Sequence, residues 1–212
     1  MEHNKKDVSK IVWSDITKIL LSKLPYGDIL LYFLNLNDRL KKKQLEDFIE
    51  LFIERLQELN ISADNIEVKE DFLYSMDLVF QNVVKNKSEY KMKIFRDILV
   101  NQVYKEDSLD IELLNTFLDI ISKTSEVEIA ILNEFYLFYK NIEPDRNYIH
   151  SKIRDKFTQL SNEQYIFYLQ NLTYKCLLYD DGINRYDTRP FEIMKITDFG
   201  KSFIDFIMSS NN

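Results

Sequence analysis

The sequence predicts a mainly α protein: an N-terminal helical bundle over residues 1–122, then a winged helix-turn-helix-like region over residues 123–212 with one β-hairpin. Three observations predict it. Apolar residues recur at helical spacing through most of the chain. Glycine and proline number three each, too few for a turn-rich β fold. Past Pro144 the pattern changes to helix, helix, two short β-like runs and a closing helix. With 45% hydrophobic and 14% aromatic residues spread over 212 positions, the chain has ample apolar surface for a core.

The first helix is marked by Val8, Ile11, Val12, Ile16, Ile19 and Leu20. It should stop near Leu24, because Pro25 disfavours helical geometry in the residue before it. Pro25, Tyr26 and Gly27 form a turn, and the apolar stretch DILLYFLNL follows. In LKKKQLEDFIELFIERLQEL the residues Leu45, Phe48, Ile49, Phe52, Ile53 and Leu56 make one stripe. Lys41–Lys43, Glu46, Glu50 and Glu54 occupy the other side, as solubilising charges on an amphipathic helix.

Asn60–Asn65 interrupts the pattern. Phe72, Leu73, Met76, Val79, Phe80 and Val83 then form a helical face, Lys85–Ser88 punctuates, and Met92, Phe95, Ile98, Leu99 and Val103 form the next. Asp107 and Ser108 are cap candidates for a helix carrying Ile111, Leu114, Phe117, Leu118 and Ile121. Ser125 and Glu128 have the spacing of a capping box, in which the serine oxygen takes a free amide and the glutamate reaches back.

After Pro144 a short helix faces Ile149, Ile153 and Phe157 inward, capped by Asp145 or Asn147. Ser161 and Gln164 form a second capping box. The helix it opens, NEQYIFYLQNLTY, is expected to face Ile166, Leu169 and Leu172 inward. The runs KCLLYD and FEIMKIT read as two strands joined by DGINRYDTRP, where Gly182 and Pro190 supply turn chemistry. Ile196, Thr197, Gly200 and Phe203 spell an ending similar to that of many bacterial winged-helix modules. Gly200 is expected where the second strand turns into the last helix: a β-carbon there would restrict the turn or crowd the approach of strand and helix.

With that inward face, the third helix of the winged region presents Glu163, Gln164, Phe167, Asn171 and Tyr174, ending at Lys175. Arg185 and Arg189 lie in the wing, and Arg146, Lys152, Arg154 and Lys156 precede the helix. Asp145, Asp155, Asp180, Asp181 and Asp187 dilute those cations. DNA affinity scales with the phosphates neutralised, and the net charge of −7 discourages contact with polyanions. Gln164, Phe167, Asn171, Tyr174, Lys175, Arg185 and Arg189 are therefore binding candidates, first for a protein partner or self-association, with DNA as the alternative.

No catalytic or metal-binding residue is expected. The two histidines, His3 and His150, lack metal-spaced partners, there is no CxxC or HExxH, and three dispersed glycines build no phosphate loop. No small-molecule cofactor is expected either. The single cysteine, Cys176, forms no internal disulfide, which fits the cytoplasm, and it is expected as a small core residue. The polar start and the shortness of Ile29–Leu34 against the roughly 20 residues of a bilayer span argue against a membrane.

The order Leu24–Gly27, Arg39–Ile49, Arg55 and Leu56, Glu70–Phe72, Lys93–Asn101 and Thr124–Leu132 resembles uncharacterised small bacterial helical proteins of the Abi-alpha type, linked with abortive infection and mobile elements. The resemblance implies a phage-defence or prophage setting and carries over no catalytic residue. Those relatives often have a glycine-rich apolar segment after the proline, whereas Ile29–Leu34 contains no glycine. A membrane-acting abortive-infection effector, with DILLYFLNL inserting, is the third reading.

Overall fold

In the computed structural model, residues 39–61, 70–104, 110–141, 149–182 and 189–208 are described. They form eight helices and one two-stranded antiparallel hairpin. The chain divides into two compact units, Met1–Ser122 and Lys123–Asn212. The first predicted helix, the DILLYFLNL stretch and the cap candidates Asp107, Ser108, Asp145 and Asn147 lie outside the described residues.

In the first unit, α1 (Arg39–Glu58) buries the six-residue stripe Leu45, Phe48, Ile49, Phe52, Ile53 and Leu56. It packs on α2 (Glu70–Val83) and α3 (Glu89–Tyr104). The Phe48 ring meets Phe80 of α2 edge-on, 6.1 Å between centroids. At the end of α1 the chain turns through Asn60 at φ 56°. The Asn60 N–H donates to Gln57 O and the Ile61 N–H to Leu56 O, a left-handed cap that satisfies carbonyls the helix leaves open.

Helix α4 (Ile111–Lys123) buries Leu114, Phe117, Leu118 and Ile121. Asp110 caps its start, its Oδ1 accepting the Glu112 N–H at 2.9 Å. Its far end is held by a buried polar cluster. Lys91 Nζ donates to Ser122 O at 2.8 Å and to Asn86 Oδ1 at 3.4 Å. Asn86 Nδ2 donates to Ser122 Oγ at 3.1 Å, and Ser122 Oγ donates to Asn82 Oδ1 at 2.6 Å. A cation among late-helix carbonyls complements the helix dipole. Elsewhere in this unit the buried Asp97 carboxylate takes Arg96 Nε at 2.7 Å, with Arg55 Nε 3.8 Å away. Burial raises its pKa above the ordinary 3.8, and the two guanidiniums only partly oppose this.

The second unit is organised around α5 (Glu126–Asn141), which packs against α6 (Ile149–Asp155), α7 (Asn162–Tyr174), the second strand and the last helix. It buries Ile129, Ile131, Leu132 and Phe135. Its capping box forms: the Ser125 N–H donates to Glu128 Oε2 at 2.6 Å, and the Glu128 N–H to Ser125 Oγ at 3.2 Å. The other carboxylate oxygen of Glu128 accepts Lys175 Nζ at 2.9 Å, tying the start of α5 to the end of α7.

Ile153 and Phe157 are buried. Between α6 and α7, Arg154 donates to the carbonyls of Phe157 at 2.6 Å and Leu160 at 2.7 Å, and lies over the Tyr165 ring. Helix α7 carries the expected Ser161/Gln164 capping box. Its inward face differs from the expected one: Tyr165, Leu169 and Leu172 are buried, while Ile166 is 39% exposed. A shift of one residue rotates a helix by 100°, and the Phe157 ring 6.2 Å from that of Tyr165 fixes which rotation is taken.

Cys176 is exposed rather than in the core. It sits at φ 57°, where its N–H donates to Thr173 O and the next N–H, of Leu177, to Leu172 O. This repeats the left-handed cap that ends α1. Buried Leu177 over Leu172 supplies the apolar contact such caps favour.

Strands β1 (Leu178–Asp180) and β2 (Met194–Ile196) pair Leu178 with Ile196, Tyr179 with Lys195 and Asp180 with Met194. They are shorter than the β-like runs, but the Asp181 N–H to Ile193 O bond at 2.8 Å and the Thr197 N–H to Leu177 O bond at 3.1 Å extend the ladder at both ends. The Asp180 carboxylate closes the base of the connection, taking the Gly182 N–H at 2.8 Å and the Phe191 N–H at 2.7 Å.

The closing helix, α8 (Asp198–Met208), buries Phe203, Ile204, Phe206 and Ile207. Thr197 caps it, Oγ1 accepting the Gly200 N–H at 2.8 Å while its own proton goes to Cys176 O at 2.7 Å. Gly200 therefore lies inside the helix, at its third residue, with no left-handed φ. It is required by proximity: a β-carbon would overlap the Leu177 carbonyl oxygen and stand 3.0 Å from both Leu177 C and Ile196 Cγ1.

Candidate interaction surface

The outer face of α7 is the candidate surface. Once Tyr165, Leu169 and Leu172 turn inward, the helix presents Glu163, Ile166, Phe167, Gln170 and Tyr174 to solvent. Phe167 is 55% exposed and Tyr174 is 88% exposed. Such exposure costs hydrophobic burial, and exposed apolar side chains along one face mark contact surfaces more often than scattered ones do. Burial of Tyr165 pushes its phenol up, so that ring serves the core. Asn171 is half-buried beside this face.

Several predicted contact residues are engaged locally. Gln164 Oε1 accepts the Ser161 N–H at 2.9 Å, so its amide oxygen belongs to the cap. Exposed Glu163 takes the Ser161 hydroxyl at 2.7 Å, which holds its carboxyl below the usual 4.5. Lys175 is committed to Glu128. Arg189 is exposed, its backbone N–H donating to Glu192 Oε2 at 2.8 Å. Arg185 and Arg146 lie outside the described residues. The structure thus groups Phe167, Asn171 and Tyr174 on one helix and ties Gln164 and Lys175 into its two ends.

Three further cations near this face are drawn into the fold in the same way. Arg154 is spent on the Phe157 and Leu160 carbonyls, Lys156 pairs with Glu134, and Lys195 pairs with Asp181 at 2.7 Å while facing the Tyr179 ring at 5.8 Å. Sequence reasoning missed Ile166, Gln170 and the 40%-exposed Tyr179. For the first two a signal existed: Tyr165, Leu169 and Leu172 also have helical spacing, so a rotation of about 100° exchanges Ile166 for Tyr165.

Among the described residues no three His, Cys, Asp or Glu side chains gather as a metal site, and no helix is long and apolar enough to cross a membrane. In the first unit an open groove of about 650 Å³ runs along α1 and the start of α3. Leu51 and Met92 line it with Asp47, Glu50 and Glu54 on α1 and Lys87 and Lys93 opposite. Compared with protein families, curated proteins and solved structures, the chain matches none of them.

Proposed function

We propose that this is a non-enzymatic interaction protein whose C-terminal unit is a winged-helix-like module presenting α7 to a protein partner. The order α5, α6, α7, hairpin, α8 supports the winged-helix reading. The observation that carries the function is the exposure of Phe167 and Tyr174 on a helix near which Lys156, Lys175 and Lys195 are engaged within the unit. Interface cores are rich in aromatics and poor in charge, as this face is. The sequence resemblance to Abi-alpha proteins supports a setting in phage defence or its regulation. Co-purification from the native host tests the reading. Wild-type chain retains a partner and Phe167→Glu releases it; equal recovery with both chains refutes the α7 surface.

A DNA-binding regulator is the second reading, favoured by the same helix–hairpin order and by the exposed Arg189. Fluorescence anisotropy on genomic fragments across a salt series decides it. Binding that never exceeds that of a random duplex removes it.

A further inference from the structure

We infer that the partner seated on α7 is a second copy of this chain, the two α7 helices packing antiparallel about a two-fold axis near Gln170. The inference rests on the protein-binding reading above and adds the identity of the occupant. Two features of the face select a copy of itself.

The first is charge. The chain carries 30% charged residues and a net charge of −7, so two copies repel over most of their surfaces. From Gln164 to Tyr174, however, the sequence has no formal charge at all. This face brings two acidic molecules together without opposing like charges, and it offers little attraction to a strongly basic or acidic partner. Antiparallel packing also sets Glu163, at the start of one helix, near the carbonyl end of the other. The helix dipoles are then opposed, which is the favourable sense.

The second is hydrogen-bonding chemistry. A two-fold interface is self-complementary, so each polar group must be matched within the same patch. Gln170, Asn171 and Tyr174 each donate and accept. A face of carboxylates or ammonium groups fails that condition, and this one meets it. Ile166 at 39% exposure and Phe167 at 55% flank Gln170 one turn earlier and supply the apolar contact.

The 13-residue helix is about 20 Å long. Its single face falls short of the roughly 800 Å² per partner of a standard interface, so the dimer should dissociate in the micromolar range.

Sedimentation velocity on the full chain, with reductant to keep exposed Cys176 from cross-linking, tests this from about 1 to about 500 µM. A dimer that tightens as salt screens the net charge is expected. Phe167→Glu and Tyr174→Glu, each at an exposed position, should weaken it at least about tenfold while leaving the circular dichroism unchanged. In a Cys176→Ser background, Gln170→Cys should give a symmetric disulfide dimer on mild oxidation.

A chain that stays monomeric throughout overturns the inference, and the host co-purification still decides the protein-binding reading. A dimer untouched by either glutamate substitution places the contact elsewhere and also overturns it. A monomer that binds one duplex selectively overturns both.

Discussion

Replacing Gly200 by alanine sets two effects of opposite sign against each other. Gly200 is helical, so alanine should gain about 1 kcal/mol of helix propensity. Against this, the new β-carbon would overlap the Leu177 carbonyl oxygen and stand 3.0 Å from Leu177 C and Ile196 Cγ1. Carbon atoms in contact prefer about 3.5–4.0 Å, so helix and strand must separate by roughly 0.5–1 Å. The nearest obstacle, the Leu177 carbonyl, is backbone and has no rotamer to escape into. The same carbonyl accepts the Thr197 N–H at 3.1 Å, so the separation also weakens the bond that ties the helix cap back to the residue before β1. Overpacking costs about 1–3 kcal/mol, and a strained hydrogen bond adds about 1 kcal/mol. The net expectation is a loss of about 1–3 kcal/mol, or a melting midpoint lower by roughly 5–20 °C for a unit of this size. Thermal and urea unfolding followed by circular dichroism measure it, and hydrogen exchange over residues 176–208 locates it. Lys201→Ala, one residue along on the solvent side, is the control. If Gly200→Ala is as stable as wild type or more so, the close approach does not govern this position and the reasoning fails.

Cys176→Gly should stabilise the chain by about 0.5–1 kcal/mol, because glycine adopts the left-handed cap without strain and the exposed thiol gives up little packing; a lower urea midpoint contradicts this. Lys91→Met should cost about 1–3 kcal/mol by leaving the Ser122 carbonyl and the Asn86 amide oxygen short of a donor, with faster exchange at the end of α4 as the local readout. Two carboxylates should respond to acid with opposite signs. Burial opposes ionisation of Glu128, but the Ser125 amide and Lys175 outweigh it and hold its pKa below 4.5. Its contribution is therefore present above that value and lost as pH falls through the lower folded pKa, so the gap between wild type and Glu128→Gln, about 1.5–3 kcal/mol at pH 7, should narrow in acid. Asp97 is raised above 3.8, which favours the folded state at low pH. The gap between wild type and Asp97→Asn should widen in favour of wild type as pH falls from about 7 to about 3. Urea midpoints across that range check both slopes.

The helical faces were legible in the sequence because one periodicity governs them. All six predicted stripe residues of α1 are buried, as are the six named for α2. Both capping boxes were legible because they depend on residues three apart. What escaped was set by contacts distant in sequence. The choice between Tyr165 and Ile166 depends on Phe157 and Arg154. Cys176 read as core because it stands between an apolar helix and a strand, and cysteine gives no sign of a left-handed cap where glycine is usual. Of the cations counted toward a binding surface, Lys175 and Lys156 are paired with Glu128 and Glu134, and no local pattern announces those pairings. The candidate surface was thus legible in Phe167, Asn171 and Tyr174, and its electrostatics were not.

The Asp180 carboxylate, at the end of β1, bridges the Gly182 and Phe191 amides, so the two ends of the hairpin connection are clamped by a strand residue. That makes the connection a place to graft foreign sequence. An epitope or a photo-reactive amino acid carried there would leave α7 and its caps unaltered, and would report on whatever approaches the hairpin inside a living host.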